Sequence, residues 1–143
     1  MPKGALSDVA IPVNRNSDAT VATGTSTRGY VDMGAYHRIS WNVNVGAIGS
    51  GSTVDAVVKQ ATNTSGGSLK ALSVNKAITQ ITASNTNVQV NVDAAELDTN
   101  NSFRYATLYV TVGTATATIG DLCYGDPEKK PIGTGALPSE TKY

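Results

Sequence analysis

The residue types that carry most enzymatic chemistry are scarce in this sequence. Histidine and cysteine each occur once, as His37 and Cys123. A Ser-His-Asp or Cys-His device would have to use His37, which lies where a strand is predicted to begin. We interpret His37 as a surface or loop-edge residue. Cys123 has Leu122 and Tyr124 as neighbours and no basic residue beside it, so we interpret it as a small core residue rather than a reactive thiol.

The densest carboxylates are Asp93, Glu96 and Asp98. A calcium-binding loop alternates oxygen ligands and includes a glycine, whereas alanines fill the gaps here. The segment 93–98 therefore predicts a short helical turn capped by Asp93. A zinc site built from one histidine, one cysteine and carboxylates would lack the paired spacing of zinc ligands. We expect no metal site and no cofactor.

The glycine-rich stretches GAIGSGS and NTSGGS are interpreted as loops between strands. They do not match a phosphate-binding loop, because no Lys-Ser or Lys-Thr pair follows at the required place. Nothing in the spacing marks the two facing carboxylates of a glycosidase. Trp41 falls on the apolar side of its strand and is predicted to lie in the core. We therefore expect no catalytic residues, and a protein that is not an enzyme.

The amino-acid composition argues against further classes of protein. The chain has 143 residues, and its 11 basic residues balance its 11 acidic ones, which argues against a general nucleic-acid or anionic-membrane binder. Only 15% of residues are charged, and threonine and asparagine supply much of the polar surface. The N-terminal sequence has no apolar run typical of a signal peptide, and no segment approaches the length of a membrane span. We expect a soluble protein made in a cytoplasm.

Short apolar-polar alternations separated by Gly, Asn and Ser predict an all-β fold. In the strongest of them, residues 38–45, the apolar residues share one face. Further strand-like runs are expected at 19–23, 29–33, 54–58, 69–75, 78–82 and 88–92. This pattern is typical of a single antiparallel β-sandwich or a jelly-roll-like barrel, and it does not fix the strand order.

The alternation in the runs 105–112 and 115–119 predicts one β-hairpin. A two-residue turn at Gly113 and Thr114 would pair every apolar residue of the first run with an apolar residue of the second. Glycine as the first turn residue favours a type II′ turn.

The chain is predicted to consist of one β-domain at 19–124 between two extended segments. Pro2 and Pro12 interrupt regular pairing, so residues 1–18 are predicted to form an N-terminal arm, and the alternation of Val9, Ile11 and Val13 would allow this arm to lie as an edge strand. The tail at 125–143 contains three prolines and is predicted to be extended.

Three segments carry a resemblance to a known family. STRGYVDMGAYHRISWNVNVG, AAELDTNNSFRYATLYVTVG and GDPEKKP resemble the capsid decoration, or cement, proteins of tailed bacteriophage heads, over roughly residues 26–131. The resemblance implies a structural virion protein on the outer surface of the capsid, made in the bacterial host cytoplasm. It implies a homotrimer that bridges subunits of the major capsid protein, and the balanced charge leads us to expect no nucleic-acid or membrane partner. It carries over no active-site residue.

We hypothesise that the N-terminal arm contacts the shell, because its alternating apolar residues have no evident place in the domain core. The predicted interface residues are Val9, Ile11, Pro12, Val13 and Arg15. One alternative is another virion part, such as a tail-tube, tail-terminator or head-fibre protein. Another is a carbohydrate-binding β-sandwich, for which Tyr105 and Tyr109 are the outward-facing aromatic candidates.

Overall fold

The computed structural model describes residues 10–126, which contain eight β-strands in two antiparallel sheets. The strands are β1 Ile11–Val21, β2 Gly24–Asp32, β3 Arg38–Ile48, β4 Thr53–Ala61, β5 Lys70–Ala71, β6 Thr86–Asp93, β7 Tyr105–Gly113 and β8 Ala117–Gly125. Two short 3₁₀ helices, Ala94–Glu96 and Thr99–Asn101, lie between β6 and β7. The all-β prediction is confirmed.

The strand order is that of an eight-stranded jelly roll. One sheet has the order β1-β8-β3-β6 and is called the β8 sheet below; the other has the order β2-β7-β4-β5 and is called the β7 sheet. Strands pair β1 with β8, β2 with β7, β3 with β6 and β4 with β5. This nested set arises when one long antiparallel ribbon is rolled up, and the β3–β8 and β4–β7 pairs then complete the two sheets.

The core lies between the sheets and is built from alternate residues of the strands. Trp41 on β3 is fully buried, as predicted, and the apolar residues on either side of it in the alternation are buried with it. The rows that face them from the β7 sheet are equally buried. The largest of the core side chains are Trp41, Ile39, Leu108, Ile119, Val43, Val45, Val54, Val58, Val92, Val110 and Val112.

From Ile11 onward, the structure places the predicted N-terminal arm in the sandwich as the edge strand β1, the arrangement that its apolar alternation allowed, rather than outside the β-domain. Ile11 pairs with Gly125 and is buried, and Val13 packs against the core. Pro12 is accommodated because β1 is an edge strand with a register shift beside it. Val9 and the tail beyond residue 126 lie outside the described residues.

The predicted hairpin is also wrong, although its apolar faces were assigned correctly. β7 pairs with β2 and β4 in one sheet, and β8 pairs with β1 and β3 in the other. The two inward rows therefore meet across the core rather than side by side. At the connection, the left-handed residue is Thr114, with φ of 69°, not Gly113. The Ser52 hydroxyl lies within hydrogen-bond distance, 2.8 Å, of the carbonyl oxygens of Gly113 and Ala115.

The two strands predicted at 69–75 and 78–82 are reduced to β5 and two isolated bridges. Ala77 bridges to Val57, and Ile81 bridges to Val54. Lys76 accepts a backbone hydrogen bond from Val58 at 2.9 Å. The segment thus follows the edge of β4 with interruptions, and it satisfies part of the backbone that a bare edge strand would expose.

Both boundaries of the sandwich lie at the same end of the molecule. β1 begins and β8 ends there, and the backbone N–H of Asp126 donates to the carbonyl of Arg38, the first residue of β3, at 2.9 Å. The connections 33–37, 62–69 and 94–104 lie at this end as well, because the strands that they join are antiparallel. We call it the terminal end.

Deletion of residues 1–16 should destabilise the domain, since it removes the first half of β1 and the buried Ile11 side chain. We expect the midpoint of thermal unfolding to fall by at least about 10 °C. Deletion of residues 1–9 is the matched control, because it leaves every described contact in place, and its midpoint should move by no more than about 2 °C. Circular dichroism measures both. Equal midpoints for the two variants would show that β1 contributes little to the fold.

Candidate functional site

The terminal end holds an open groove with an apolar floor. Its volume is about 1110 Å³, and the buried side chains of Met33, Leu97 and Phe103 form its floor. Met33 follows β2, and the other two belong to the connection between β6 and β7. The groove is therefore built where two connections between the sheets cross the end of the sandwich.

The rim of this groove collects residues that the sequence marked as candidates for chemistry. His37 is exposed, as predicted for a surface residue, and its backbone carbonyl accepts a hydrogen bond from Ala94 at 2.7 Å. Asp93 precedes the 3₁₀ helix Ala94–Glu96 as its N-cap residue, which confirms the predicted helical turn. The Glu96 carboxylate accepts the backbone N–H of Asp93 at 2.9 Å. The carboxylates at 93 and 96 thus organise the backbone of the rim.

Each carboxylate of this region also has a cationic partner. Arg38 Nε donates to Asp93 Oδ1 at 2.7 Å, and Lys76 Nζ lies 2.8 Å from Glu96 Oε1. Arg104 binds both oxygens of Asp32 at 2.6 Å. Exposed pairs of this kind contribute little to stability, but they leave the rim close to electrically neutral.

Asp98 is another carboxylate of this region with a cationic partner. Lys70 Nζ donates to its Oδ2 at 2.6 Å, and the Asn101 amide donates to the same carboxylate. The Lys70 and Asn101 hydrogen bonds lower the pKa of Asp98 below its usual range. This carboxylate is held ionised between structural partners, the reverse of a carboxyl group raised toward neutral pH for general acid catalysis.

Cys123 is a core residue, as predicted. It lies opposite Trp41 in the register of β8 with β3, and its side chain is fully buried. Burial raises the pKa of the Cys123 thiol, and the nearby Asp121 carboxylate adds to the rise. Because the thiolate is the nucleophilic form, this environment makes the thiol unreactive.

A buried ion pair between the sheets was not predicted from the sequence. Arg28 Nε on β2 lies 3.4 Å from Asp121 Oδ2 on β8, with side chains 11% and 0% exposed. Asn16 on β1 donates to Asp121 Oδ1 at 2.9 Å and to the Arg28 carbonyl at 3.0 Å. Burial raises the pKa of Asp121, while the Asn16 hydrogen bond and the Arg28 charge act in the opposite direction. The alternation Ile119, Asp121, Cys123 carried the signal, since it points all three side chains inward.

The predicted surface residues lie on different faces. Tyr105 and Tyr109 are half-buried on the β7 sheet, and Lys59 Nζ covers the Tyr109 ring 3.6 Å from its centroid. Among the predicted interface residues, Pro12 and Arg15 are exposed on the β8 sheet. The structure does not bring these two pairs together.

Among residues 10–126, no three His, Cys, Asp or Glu side chains are grouped closely enough to hold a metal ion. In the same part of the chain, no helix is long and apolar enough to cross a membrane. Comparison with known proteins finds no matching family model, no matching curated protein and no matching solved structure. The resemblance to capsid decoration proteins therefore stays a prediction.

Removing one partner of the buried pair should be costly. Asp121→Ala leaves the Arg28 guanidinium buried without a counter-charge, and we expect the free energy of unfolding to fall by roughly 3–5 kcal/mol. The double variant Arg28→Met, Asp121→Val should lose less than Asp121→Ala alone, because an apolar pair avoids the desolvation cost. Urea denaturation measures the free energy of unfolding of each variant.

The exposed Arg38–Asp93 pair provides the control for this measurement, since Arg38→Ala should cost no more than about 1 kcal/mol. A double variant at 28 and 121 that loses as much as the sum of its single variants would show that the two side chains are not coupled.

The buried thiol should report unfolding. In native protein at pH 8, Cys123 should react with a thiol reagent such as DTNB far more slowly than an exposed cysteine, and it should react fully in denaturant. Val74→Cys is the matched control, because Val74 is 56% exposed, and its thiol should react at once. A native wild-type rate equal to that of the control would contradict the burial of Cys123.

Proposed function

We propose that this protein is a structural virion component that binds the outer surface of a tailed-phage head and stabilises the shell. Its partner is the major capsid protein, and it acts as a homotrimer that bridges neighbouring capsid subunits. The resemblance of its three segments to decoration proteins motivates this function. The observation that supports it best is the pairing of Ile11 with Gly125, which places the first and last described strand ends side by side.

Segments 1–9 and 127–143 adjoin β1 and β8 in sequence, and the strand ends Ile11 and Gly125 lie at the terminal end. This end also carries the apolar groove floored by Met33, Leu97 and Phe103. Extended segments bind neighbouring subunits by adding strands or by filling grooves. A jelly roll in which the start of β1, the end of β8 and a groove lie at one end suits attachment through that end.

The rest of the surface suits packing against copies of itself. The acidic residues of the terminal end are neutralised by ion pairs, and threonine, serine and asparagine supply most of the polar side chains on the sheets. Burying a hydroxyl or an amide costs less than burying a charge. A trimer contact on such a surface therefore carries a small desolvation cost.

The fold changes which residues we assign to the shell contact. Ile11 and Val13 pack within the domain, so they are not free to bind a capsid. We assign the contact to residues 1–9, residues 127–143 and the groove at the terminal end. Of the interface residues predicted from the sequence, Val9 belongs to the first of these segments.

Binding to heads tests the proposal. Heads of the parent phage that lack this protein should bind the full-length chain to saturation in a sedimentation assay. Deleting residues 1–9 together with 127–143 should weaken binding at least about tenfold, as expected when the main contacts are lost. The truncated protein should unfold at the wild-type temperature, which separates loss of contact from loss of fold.

Two results would count against the proposal. Failure of the full-length chain to bind heads would refute the decoration function. Wild-type affinity of the truncated chain would refute attachment through the chain ends. Light scattering adds the mass of the assembly, where a ring or hexamer would favour the alternative of a tail component.

A further inference from the structure

A second groove crosses the outer face of the β8 sheet, away from the terminal end. Its volume is about 550 Å³, within the range of small-ligand sites. Gly120, which has no side chain, lies at the centre of the sheet beneath this groove. The Asp18 carboxylate lies directly over this glycine, where a Cβ would overlap it.

The strand register explains which side chains surround Gly120. Arg15 lies beside Leu122 and across from Asn42, while Tyr124 lies beside Ser40 in the next row. The groove is also lined by Ser17, Asp18, Asn42 and Asn44. These residues supply a guanidinium, a carboxylate, two amides, a hydroxyl and one aromatic ring, and Asn16, Gly120, Asp121 and Leu122 complete the lining.

The two charged groups of this groove stand out from the others in the molecule. Among the Asp, Glu, Lys and Arg side chains of residues 10–126, Arg15 and Asp18 are the two without a hydrogen bond, ion pair or ring contact. Both belong to β1, where a register shift between Asn16 and Ala19 brings Asp18 over Gly120. Both residues are exposed and line the groove.

The amides add both donors and acceptors. Asn42 Oδ1 accepts from Asn87 Nδ2 at 2.8 Å, which fixes the Asn42 side chain and leaves its NH₂ group as a donor. Asn44 is exposed next to it. Tyr124 is 37% exposed, and its ring is one of two large apolar side chains open to solvent in the described residues.

We propose that this groove binds a neutral glycan. Adjacent sugar hydroxyls each donate and accept hydrogen bonds, and amides, a carboxylate and a guanidinium supply the matching partners. The opposite charges of Arg15 and Asp18 cancel, which disfavours a strongly charged ligand. The Tyr124 ring provides an apolar surface for the C–H face of a sugar.

A second copy of the chain fits this face less well. The core of a protein interface is depleted in charged residues and rich in apolar ones. Here the centre of the groove carries unpaired charges, and covering them with protein would leave them desolvated without partners. A glycan instead replaces the water around them with hydroxyl groups.

A glycan array carrying neutral, sialylated and sulfated oligosaccharides, probed with the full-length protein, tests this inference. We expect binding to neutral glycans. Titration calorimetry with the best neutral oligosaccharide should then show at least about tenfold weaker binding for each of Arg15→Ala, Asp18→Ala and Tyr124→Ala. Asn91→Ala, on the same sheet but outside the groove, and Tyr105→Ala, on the other sheet, should bind as the wild type does.

The alternative outcomes are distinguishable. No binding on the array, binding that survives all three groove substitutions, or binding of anionic glycans alone with loss only on Arg15→Ala would each overturn the proposal. So would light scattering that shows self-association abolished by Tyr124→Ala, because a second copy would then cover the groove. Unchanged thermal unfolding of the variants confirms that these exposed substitutions leave the fold intact. The result is independent of whether the protein binds a phage head.

Discussion

The pairing of β1 with β8 is the constraint on which most of the structure depends. It joins the beginning of the described chain to its end, and it makes β8 a central strand with partners on both sides. The other three ribbon pairs are nested inside it. Because this outermost pair has the greatest separation in sequence, it carries the largest loop-closure cost and must be held by specific contacts.

The buried cluster at Asp121 supplies such contacts. Asn16, Arg28 and Asp121 connect the first, second and last strands, and so tie the two sheets together at their β1 and β2 edges. A buried ion pair is seldom the most stable solution for a core. Here the hydrogen bonds that Asn16 donates to Asp121 and to the Arg28 carbonyl form only when β1 and β8 are in the observed register, so the cluster distinguishes that register from a slipped one.

The sequence predicted which face of each strand is buried better than it predicted which strands pair with each other. Alternation correctly placed the apolar rows of β3, β4, β6, β7 and β8, because a period of two depends only on which side of a strand is dry. It did not say whether 105–112 and 115–119 lie side by side or face each other, since both arrangements bury the same residues. Proline at 12 suggested an arm, whereas an edge strand with a register shift accommodates it.

The residues of the candidate sites also differed in how well they could be predicted from the sequence. His37, Cys123 and the turn at Asp93 could be interpreted from their neighbours in sequence, because their environments are local. The Arg28–Asp121 pair and the alignment of Arg15, Asp18 and Gly120 arise from strands far apart in the chain. Their members are recognisable only once the register of β1 with β8 is known.

Because Ile11 and Gly125 are paired neighbours, the order of the strands along the chain can be changed without changing their arrangement in space. A short linker from Asp126 back to residue 10 would close the backbone into a ring. The chain could then be opened within the exposed turn at 63–65, which contributes no strand. Such a circular permutant would keep all eight strands and their registers while moving its two termini into the connection between β4 and β5.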